Sequence, residues 1–282
     1  MSNPVSNDAL RVAVLQLNSG EDVDANLSSV EQLVTRAVDE RAELVMLPEN
    51  FAFMGPQAHK VALAEPLLGE LAELGQRPIQ DRMAALARRA GCHLLLGGFA
   101  ERSSDPARPF NTSLLLTPQG GPKAYYRKLH LFDIDLPDGT ALRESHATSA
   151  GDRVVVTDVG PLKLGLSVCY DLRFPELYRR QVELGAQLLS VPSAFTLQTG
   201  PAHWHVLLRA RAIENQCWVA APAQWGRHAE GRASFGHALI ADPWGQVVSQ
   251  CSEGLGYALA DVNLALLRGV RERLPCLAHR KL

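Results

Sequence analysis

The sequence of residues 161–178 is PLKLGLSVCYDLRFPELY, and it contains the strongest local signal in the chain. The apolar run 164–168 follows a Gly-Pro pair and is typical of a buried strand. Pro175 and Glu176 indicate the first turn of a helix, where proline and acidic residues are favoured. Cys169 lies between the two elements, near N–H groups that can stabilise developing negative charge. Cys169 is therefore either a nucleophile or an ordinary buried apolar residue.

Composition limits the classes of protein that this chain can belong to. It has 282 residues, of which 46% are hydrophobic and 21% charged, so we expect one α/β domain over residues 1–282. A net charge of -2 does not attract nucleic acid or an anionic membrane. No apolar run is long enough to cross a bilayer, and MSNPVSNDALR lacks the pattern of a signal peptide. We expect a soluble, cytoplasmic protein with no nucleic-acid or membrane partner.

The cysteines do not indicate a disulfide framework or a metal site. There are five of them, widely scattered and without a C-x-x-C pair. We therefore expect no metal and no organic cofactor. The cysteines are Cys92, Cys169, Cys217, Cys251 and Cys276.

Apolar periodicity predicts alternating strands and helices. The predicted strands cover 11–17, 44–47, 93–99, 113–116, 123–126, 164–168, 187–191, 217–221, 237–241 and 256–262. The predicted helices cover 26–40, 79–90, 202–215 and 264–273, besides the one that begins near Pro175. Strands predominate in part of the second half, so the class is α/β or α+β, with a mixed sheet in a layered sandwich. Between residues 132 and 151 the periodicity fails, which predicts a long irregular loop and a candidate active-site loop.

Two charged residues follow predicted strands in the same way as Cys169. Glu49 follows 44–47, and Lys128 follows 123–126. Each alone is more often a solvated surface residue. Together with Cys169 they share one topological position, the strand ends where open α/β sheets bind ligands. A cysteine nucleophile needs a base or a cation, but none of the nine histidines is visibly paired with Asn or Asp, and His203 and His205 are predicted to be surface or packing residues.

Three motifs resemble the Glu-Lys-Cys triad of the nitrilase superfamily, the carbon–nitrogen hydrolases. They are Glu49 in LPEN, Lys128 in YRKLHLFD and Cys169 in SVCYDLRFPE, and they occur in the family's order. The resemblance covers nearly the whole chain. It implies an α-β-β-α sandwich whose outer helices pair into αββααββα homodimers, or into a higher oligomer.

The resemblance also implies a role for each residue. Cys169 would attack an amide carbonyl to form a thioester, and Glu49 would be the general base. Lys128 and the backbone N–H of Tyr170 would stabilise the oxyanion. Glu144, in LRES, would orient Lys128 or the substrate amide. The alternative for Glu144 is a loop acid paired with Arg143 or another cation.

The resemblance implies three substrate-binding residues around the acyl group, namely Arg173, Phe195 and Thr199. Arg173 would meet a substrate carboxylate through a bidentate contact. Its alternative role is an ion pair with Asp171 or Glu176 that braces the turn. The alternative for the other two is an ordinary loop position.

The segments beginning PSAFTLQTGPAHWH and GHALIADPWG are similar to the amidase branch of the superfamily. The expected substrate is a small-molecule monoamide of a 2-oxo dicarboxylic acid. Deaminated glutathione, cleaved to 2-oxoglutarate and Cys-Gly, is favoured by the longer match. HLFDIDLPDG favours 2-oxoglutaramate, cleaved to 2-oxoglutarate and ammonia. Another small aliphatic amide or a nitrile, a non-catalytic binding protein, and a thiol-dependent redox or acyl-transfer protein are the alternatives.

Overall fold

The computed structural model describes residues 8–70, 75–135 and 141–281. The helices are α1 (Val23–Asp39), α2 (Gln57–Ala62), α3 (Pro78–Ala90), α4 (Pro175–Glu183), α5 (Gly200–Asn215) and α6 (Leu264–Arg273). The strands are β1 (Ala9–Leu17), β2 (Leu44–Met46), β3 (His93–Glu101), β4 (Phe110–Leu116), β5 (Pro122–Arg127), β6 (Asp133–Asp135), β7 (Ala141–Arg143), β8 (Val156–Val159), β9 (Leu162–Gly165), β10 (Leu188–Ser190), β11 (Trp218–Ala221), β12 (Ala223–Arg227), β13 (Ala233–Phe235), β14 (Leu239–Ala241), β15 (Val247–Gln250) and β16 (Gly256–Asn263). Short 3-10 helices cover Glu144–His146, Cys169–Arg173 and Ala229–Gly231.

The strands form two mixed sheets and one small hairpin. The eight-stranded sheet has the order β13-β12-β1-β2-β3-β4-β5, and β16 also pairs with β1. The six-stranded sheet has the order β15-β14-β11-β10-β9-β8, and β6 pairs with β7. The strands β12, β1, β2 and β3 are parallel in the first sheet, as are β9, β10 and β11 in the second. Antiparallel strands flank both sets.

Strand β1 shows why the molecule is layered. Because successive side chains of a strand point to opposite faces, Val12 and Val14 pack into the core that includes the second sheet, while Ala13 and Leu15 pack with the helices α1 and α3. On the far side, α4 packs against β9 and α5 against β11. The order of layers is helix, sheet, sheet, helix. The expected α/β class and the α-β-β-α sandwich are confirmed.

The helix boundaries follow from local chemistry. The Asp22 side chain accepts a hydrogen bond from the Ala25 N–H and caps α1. Helix α3 begins at Pro78 and is closed by Gly91 in the left-handed conformation, with φ 65°. Within the described ranges, no helix has the length and apolar character needed to cross a membrane.

Several short elements differ from the prediction. The strand predicted at 164–168 is β9, which ends at Gly165. The strands β8, β12, β13 and β15 and the helix α2 were not predicted, because each is short and several mix polar with apolar side chains. The segment 132–151 was expected to be an irregular loop, but it contains the β6–β7 hairpin and a 3-10 helix. Residues 136–140 of that segment lie outside the described residues.

The two sheets approach each other most closely at Gly97 in β3. A Cβ atom on this glycine would lie 1.9 Å from the Leu47 carbonyl oxygen and 2.6 Å from Cβ of Pro192. Leu47 follows β2 in the first sheet, and Pro192 follows β10 in the second. The missing side chain therefore lets the ends of the two sheets converge, and the candidate site lies at this convergence.

Candidate active site

Cys169 occupies a strained turn at the end of an extended segment. Val168 is extended, with φ -140°, and Cys169 begins the short 3-10 helix with φ +48°. A non-glycine residue in this left-handed region costs on the order of 1–3 kcal/mol and persists only where its surroundings hold it. The Cys169 N–H donates to the Pro192 carbonyl oxygen at 2.9 Å, which ties the turn to the strand β10. The side chain is half-buried.

The Asp171 side chain stabilises this turn. Its buried carboxylate accepts hydrogen bonds from the Tyr126 hydroxyl (2.7 Å), the Val168 N–H (2.8 Å) and the His130 N–H (3.1 Å). The His130 ring Nδ1 also lies 2.7 Å from an Asp171 oxygen. The expectation that no histidine pairs with Asn or Asp is therefore wrong. The partners are 41 positions apart, so the sequence gives no local sign of this pair.

Glu49 lies just beyond the end of β2 and is 4% exposed. One carboxylate oxygen accepts hydrogen bonds from Asn111 Nδ2 (2.8 Å) and Lys128 Nζ (3.1 Å). The other accepts from the Ala194 N–H at 3.0 Å. The Cys169 thiol lies close enough to this carboxylate for the Glu49 charge to raise the pKa of the thiol. Both sheets therefore contribute to fixing Glu49 against Cys169.

Lys128 is 2% exposed and lies between two carboxylates. Its Nζ is 3.1 Å from Glu49 Oε1 and 2.9 Å from Glu144 Oε2. The Phe132 N–H donates to the same Glu144 oxygen at 2.7 Å. Glu144 is thus held against Lys128. The alternative of an Arg143 partner is wrong, because Arg143 pairs with Asp135.

The pKa shifts describe the resting charge of this group. Burial, the largest effect, raises the pKa of the Cys169 thiol, and the charge of Glu49 raises it further against the effect of Lys128. Burial also raises the pKa of Glu49, but the charges of Lys128 and Lys60 outweigh it and lower that pKa. For Lys128, burial is outweighed by Glu144 and Glu49, which place its pKa well above the usual value. The resting site therefore contains a neutral thiol beside an ionised carboxylate and an ammonium group.

The three expected substrate-binding residues lie together on the α5 side of the turn. The Arg173 guanidinium lies 5.1 Å from the Phe195 ring centroid and donates to Thr199 Oγ1 at 3.4 Å. It also contacts Nδ1 of His203 at 3.2 Å, and His203 is exposed, as predicted for a surface residue. Arg173 does not brace the turn through Asp171, whose carboxylate faces Tyr126 and His130. The group is a half-buried cation between an aromatic ring and a hydroxyl.

Tyr170 links the two groups of side chains. Its backbone N–H lies in the first turn of the 3-10 helix, where N–H groups lack partners within a helix. Its ring packs edge-on against Phe132 at 4.9 Å and against Phe174 at 5.3 Å, and the Arg173 guanidinium lies 6.0 Å from the ring centroid. The candidate nucleophile is therefore flanked by an aromatic wall.

Two other residues in the site, Asn111 and Lys60, were not predicted. Asn111 donates to Glu49 and, at 3.5 Å, to Glu144. Lys60 lies on the unpredicted helix α2 and affects the pKa of Glu49. Neither residue is in a distinctive motif. Across the described part of the chain, no group of three or more histidine, cysteine or carboxylate side chains is arranged to hold a metal ion.

Comparisons with known proteins give a consistent result. A family model described as carbon-nitrogen hydrolase matches residues 11–272. A deaminated glutathione amidase from Mus musculus is 45% identical over 288 residues, which covers 100% of this chain and 86% of the mouse protein.

Two solved structures are similar over most of the chain. The Caenorhabditis elegans NitFhit protein has a TM-score of 0.90 at 42% identity, covering 97% of this chain but only 65% of NitFhit. Nit3 from Saccharomyces cerevisiae, a member of branch 10 of the nitrilase superfamily, has a TM-score of 0.87 at 28% identity, with 100% of both chains covered.

The site electrostatics predict how Cys169 titrates when Glu49 is neutralised. Because the Glu49 charge raises the thiol pKa while Lys128 lowers it, Glu49→Gln should move the thiol titration to lower pH. The measurement is the pH dependence of thiolate absorbance, taken as the difference from a matched Cys169→Ser variant so that the other four cysteines cancel. An unchanged or higher midpoint in Glu49→Gln would contradict this description of the site.

Proposed function

The chain belongs to the carbon–nitrogen hydrolase family of the nitrilase superfamily, and we propose that it is a cysteine-dependent amidase that cleaves deaminated glutathione to 2-oxoglutarate and Cys-Gly. The family and the curated relatives make it a hydrolase of carbon–nitrogen bonds in amides. The proposal adds the residues that perform the reaction and the substrate.

One observation carries the proposed mechanism. The Cys169 thiol lies beside the ionised Glu49 carboxylate, whose charge raises the pKa of the thiol, and Lys128 Nζ is 3.1 Å from that carboxylate. A nucleophile, a base and a cation are therefore assembled in one buried site, as acyl transfer requires. A non-catalytic binding protein would not need a buried lysine between two carboxylates, which is costly to desolvate.

Acylation is the first half of the proposed reaction. Glu49 takes the thiol proton as Cys169 Sγ attacks the amide carbonyl carbon, and the carbonyl oxygen becomes an oxyanion. Lys128 Nζ and the Tyr170 N–H stabilise this oxyanion. When the tetrahedral intermediate collapses, the C–N bond breaks and protonated Glu49 gives its proton to the leaving amine. The product of this half is a thioester on Cys169.

Deacylation uses the same groups with water. Glu49 takes a proton from water, the hydroxyl oxygen attacks the thioester, and the sulfur leaves and recovers the proton. A general base is typically worth about 10²–10⁴ in rate. Glu144 acts in both halves as a positioning residue, because it holds the Lys128 ammonium at 2.9 Å. No step needs a cofactor.

The group formed by Arg173, Phe195 and Thr199 supports a substrate whose acyl part carries a carboxylate in addition to the amide carbonyl. The guanidinium can form two parallel hydrogen bonds to a carboxylate, with Thr199 as a further donor and Phe195 beneath the chain of the acyl group. The mouse relative supports the larger leaving group, Cys-Gly. The alternative is 2-oxoglutaramate, which has the same acyl part and releases ammonia.

A side-by-side assay of the two amides tests this proposal. We expect faster release of Cys-Gly from deaminated glutathione than of ammonia from 2-oxoglutaramate, and Cys169→Ala should lower both rates by more than about 10³-fold. Faster ammonia release would identify 2-oxoglutaramate as the preferred substrate and would leave the mechanism unchanged. A Cys169→Ala variant as active as wild type would overturn the mechanism.

We further propose that the family match over 11–272 corresponds to one domain spanning residues 1–282. The proposed site residues come from positions 49 to 199 and meet in one place, which supports a single unit. We place the protein in the cytoplasm, where reducing conditions keep Cys169 as the free thiol that the mechanism needs.

The outer face of α5 supports a homodimer. Val206 and Ile213 are seven residues apart on one face of α5 and are 64% and 48% exposed. Trp244 is 55% exposed and is next to Gly245, which lies close to the Ile213 side chain. An apolar face of this kind is favourable in contact with a second copy. Because α5 follows Thr199 directly and carries His203, such pairing would also stabilise the substrate-binding group.

Sedimentation analysis tests the dimer. Wild type should sediment at twice the 30.7 kDa chain mass, and Val206→Glu should shift the protein toward the monomer because a charge is buried in the interface. Leu255→Glu is a matched control, since Leu255 is 56% exposed and directly precedes β16, which pairs with β1 of the first sheet, whereas α5 packs on the second. A monomeric wild type, or a Val206→Glu variant that remains fully dimeric, would contradict this interface.

A further inference from the structure

Lys60 is a second lysine that faces the candidate site. It lies on the short helix α2 and is half-buried. Its Nζ donates to Asn50 Oδ1 at 2.8 Å. Asn50 directly follows Glu49, so the lysine is connected to the proposed base through one residue. The mechanism above does not use Lys60.

The contact is significant because of the backbone at Asn50. Its φ is +57°, in the left-handed region that residues other than glycine rarely adopt. Asparagine is among the residues that tolerate this conformation best. The Asn50 N–H donates to the Gly98 carbonyl oxygen at 2.9 Å, and Lys60 holds the side-chain oxygen. Hydrogen bonds therefore hold both the backbone and the side chain of Asn50, and they also restrict the orientation of the neighbouring Glu49 side chain.

The charge of Lys60 acts on the same carboxylate. It lowers the pKa of Glu49, as Lys128 also does. Burial lowers the pKa of Lys60 itself, and the nearby cations Lys128 and Arg232 lower it further, while Glu144 and Glu49 oppose them. The charged and titratable groups around Glu49 are Lys60, Lys128, Glu144 and Cys169.

We propose that Lys60 is a positioning residue for Glu49, which it holds through the side chain of Asn50 while supplying a second positive charge that favours the ionised carboxylate. The inference rests on Glu49 being the general base and extends that role by one residue on α2. Lys60 is not required to touch the substrate.

The proposal predicts a shift in the pH profile of kcat/KM for the amide substrate. The base must be ionised to act, so the acid limb of the profile follows the pKa of Glu49. Without the Lys60 charge that pKa rises, and Lys60→Met should move the acid limb upward by about 0.5–1 pH unit. Loss of positioning should also lower kcat about tenfold. Lys60→Arg, which keeps the charge and the donor, should restore most of the acid limb.

Two further variants make the test independent of folding defects. Lys163→Met is the matched control, because Lys163 is 52% exposed and pairs with Asp158, and it should behave as wild type. Asn50→Ala breaks the same connection from the other side and should lower kcat. Since both substitutions interrupt one path, the Lys60→Met/Asn50→Ala double variant should be less impaired than the product of the two single effects.

Several results would overturn the inference. If the acid limb of the Lys60→Met pH profile coincides with that of wild type, Lys60 has no electrostatic effect on Glu49. If the effects of the two substitutions on kcat multiply in the double variant, Lys60 does not act through Asn50. A change in KM confined to the amide with a charged leaving group makes Lys60 a substrate contact. A wrong assignment of Glu49 as the base can be distinguished from a wrong role for Lys60. In that case Glu49→Gln would retain the wild-type kcat, whatever the effect of Lys60→Met.

Discussion

The buried Lys128 ammonium between Glu49 and Glu144 is the interaction on which the site depends. Removing three charged groups from water is costly, and only close contacts of 3.1 and 2.9 Å repay that cost. Burial of the Cys169 thiol, together with the charge of Glu49 beside it, raises the pKa of this thiol and keeps it protonated at rest. In the mechanism that we propose, the thiol lies beside an ionised base, and proton transfer is coupled to attack on the substrate.

The fold brings these groups together by converging two sheets. Glu49 follows a strand of one sheet and Cys169 a strand of the other, and Gly97 lets the backbones approach where any side chain would collide. The left-handed turn at Cys169 is held by the Pro192 carbonyl oxygen and by the buried Asp171 carboxylate. The precision of the site thus comes from groups that do not react, and these hold a conformation that is unfavourable by itself.

Much of this arrangement could be predicted from the sequence, but several short strands and most contacts between distant residues could not. Glu49, Lys128 and Cys169 were identifiable because each follows a predicted strand and lies in a motif that resembles the nitrilase superfamily, and the helices 26–40 and 79–90 were identifiable from their periodicity. The missed strands β8 and β15 are short and partly polar, so they have no strong pattern. His130 and Asp171, or Glu49 and Ala194, are 41 and 145 residues apart, and no local rule connects such partners. The expectation for Glu144 came from family resemblance alone, and its ion pair with Lys128 became visible only in three dimensions.

The central claim is that Cys169 carries the acyl group of the substrate. Wild-type protein mixed with the amide in excess and quenched in acid within the first turnovers can be digested and analysed by mass spectrometry. If Cys169 is the nucleophile, the peptide containing Cys169 gains the mass of the acyl group, and hydroxylamine removes this mass as it does from a thioester. Continued turnover with no adduct at Cys169, or an adduct on another residue, would contradict this claim.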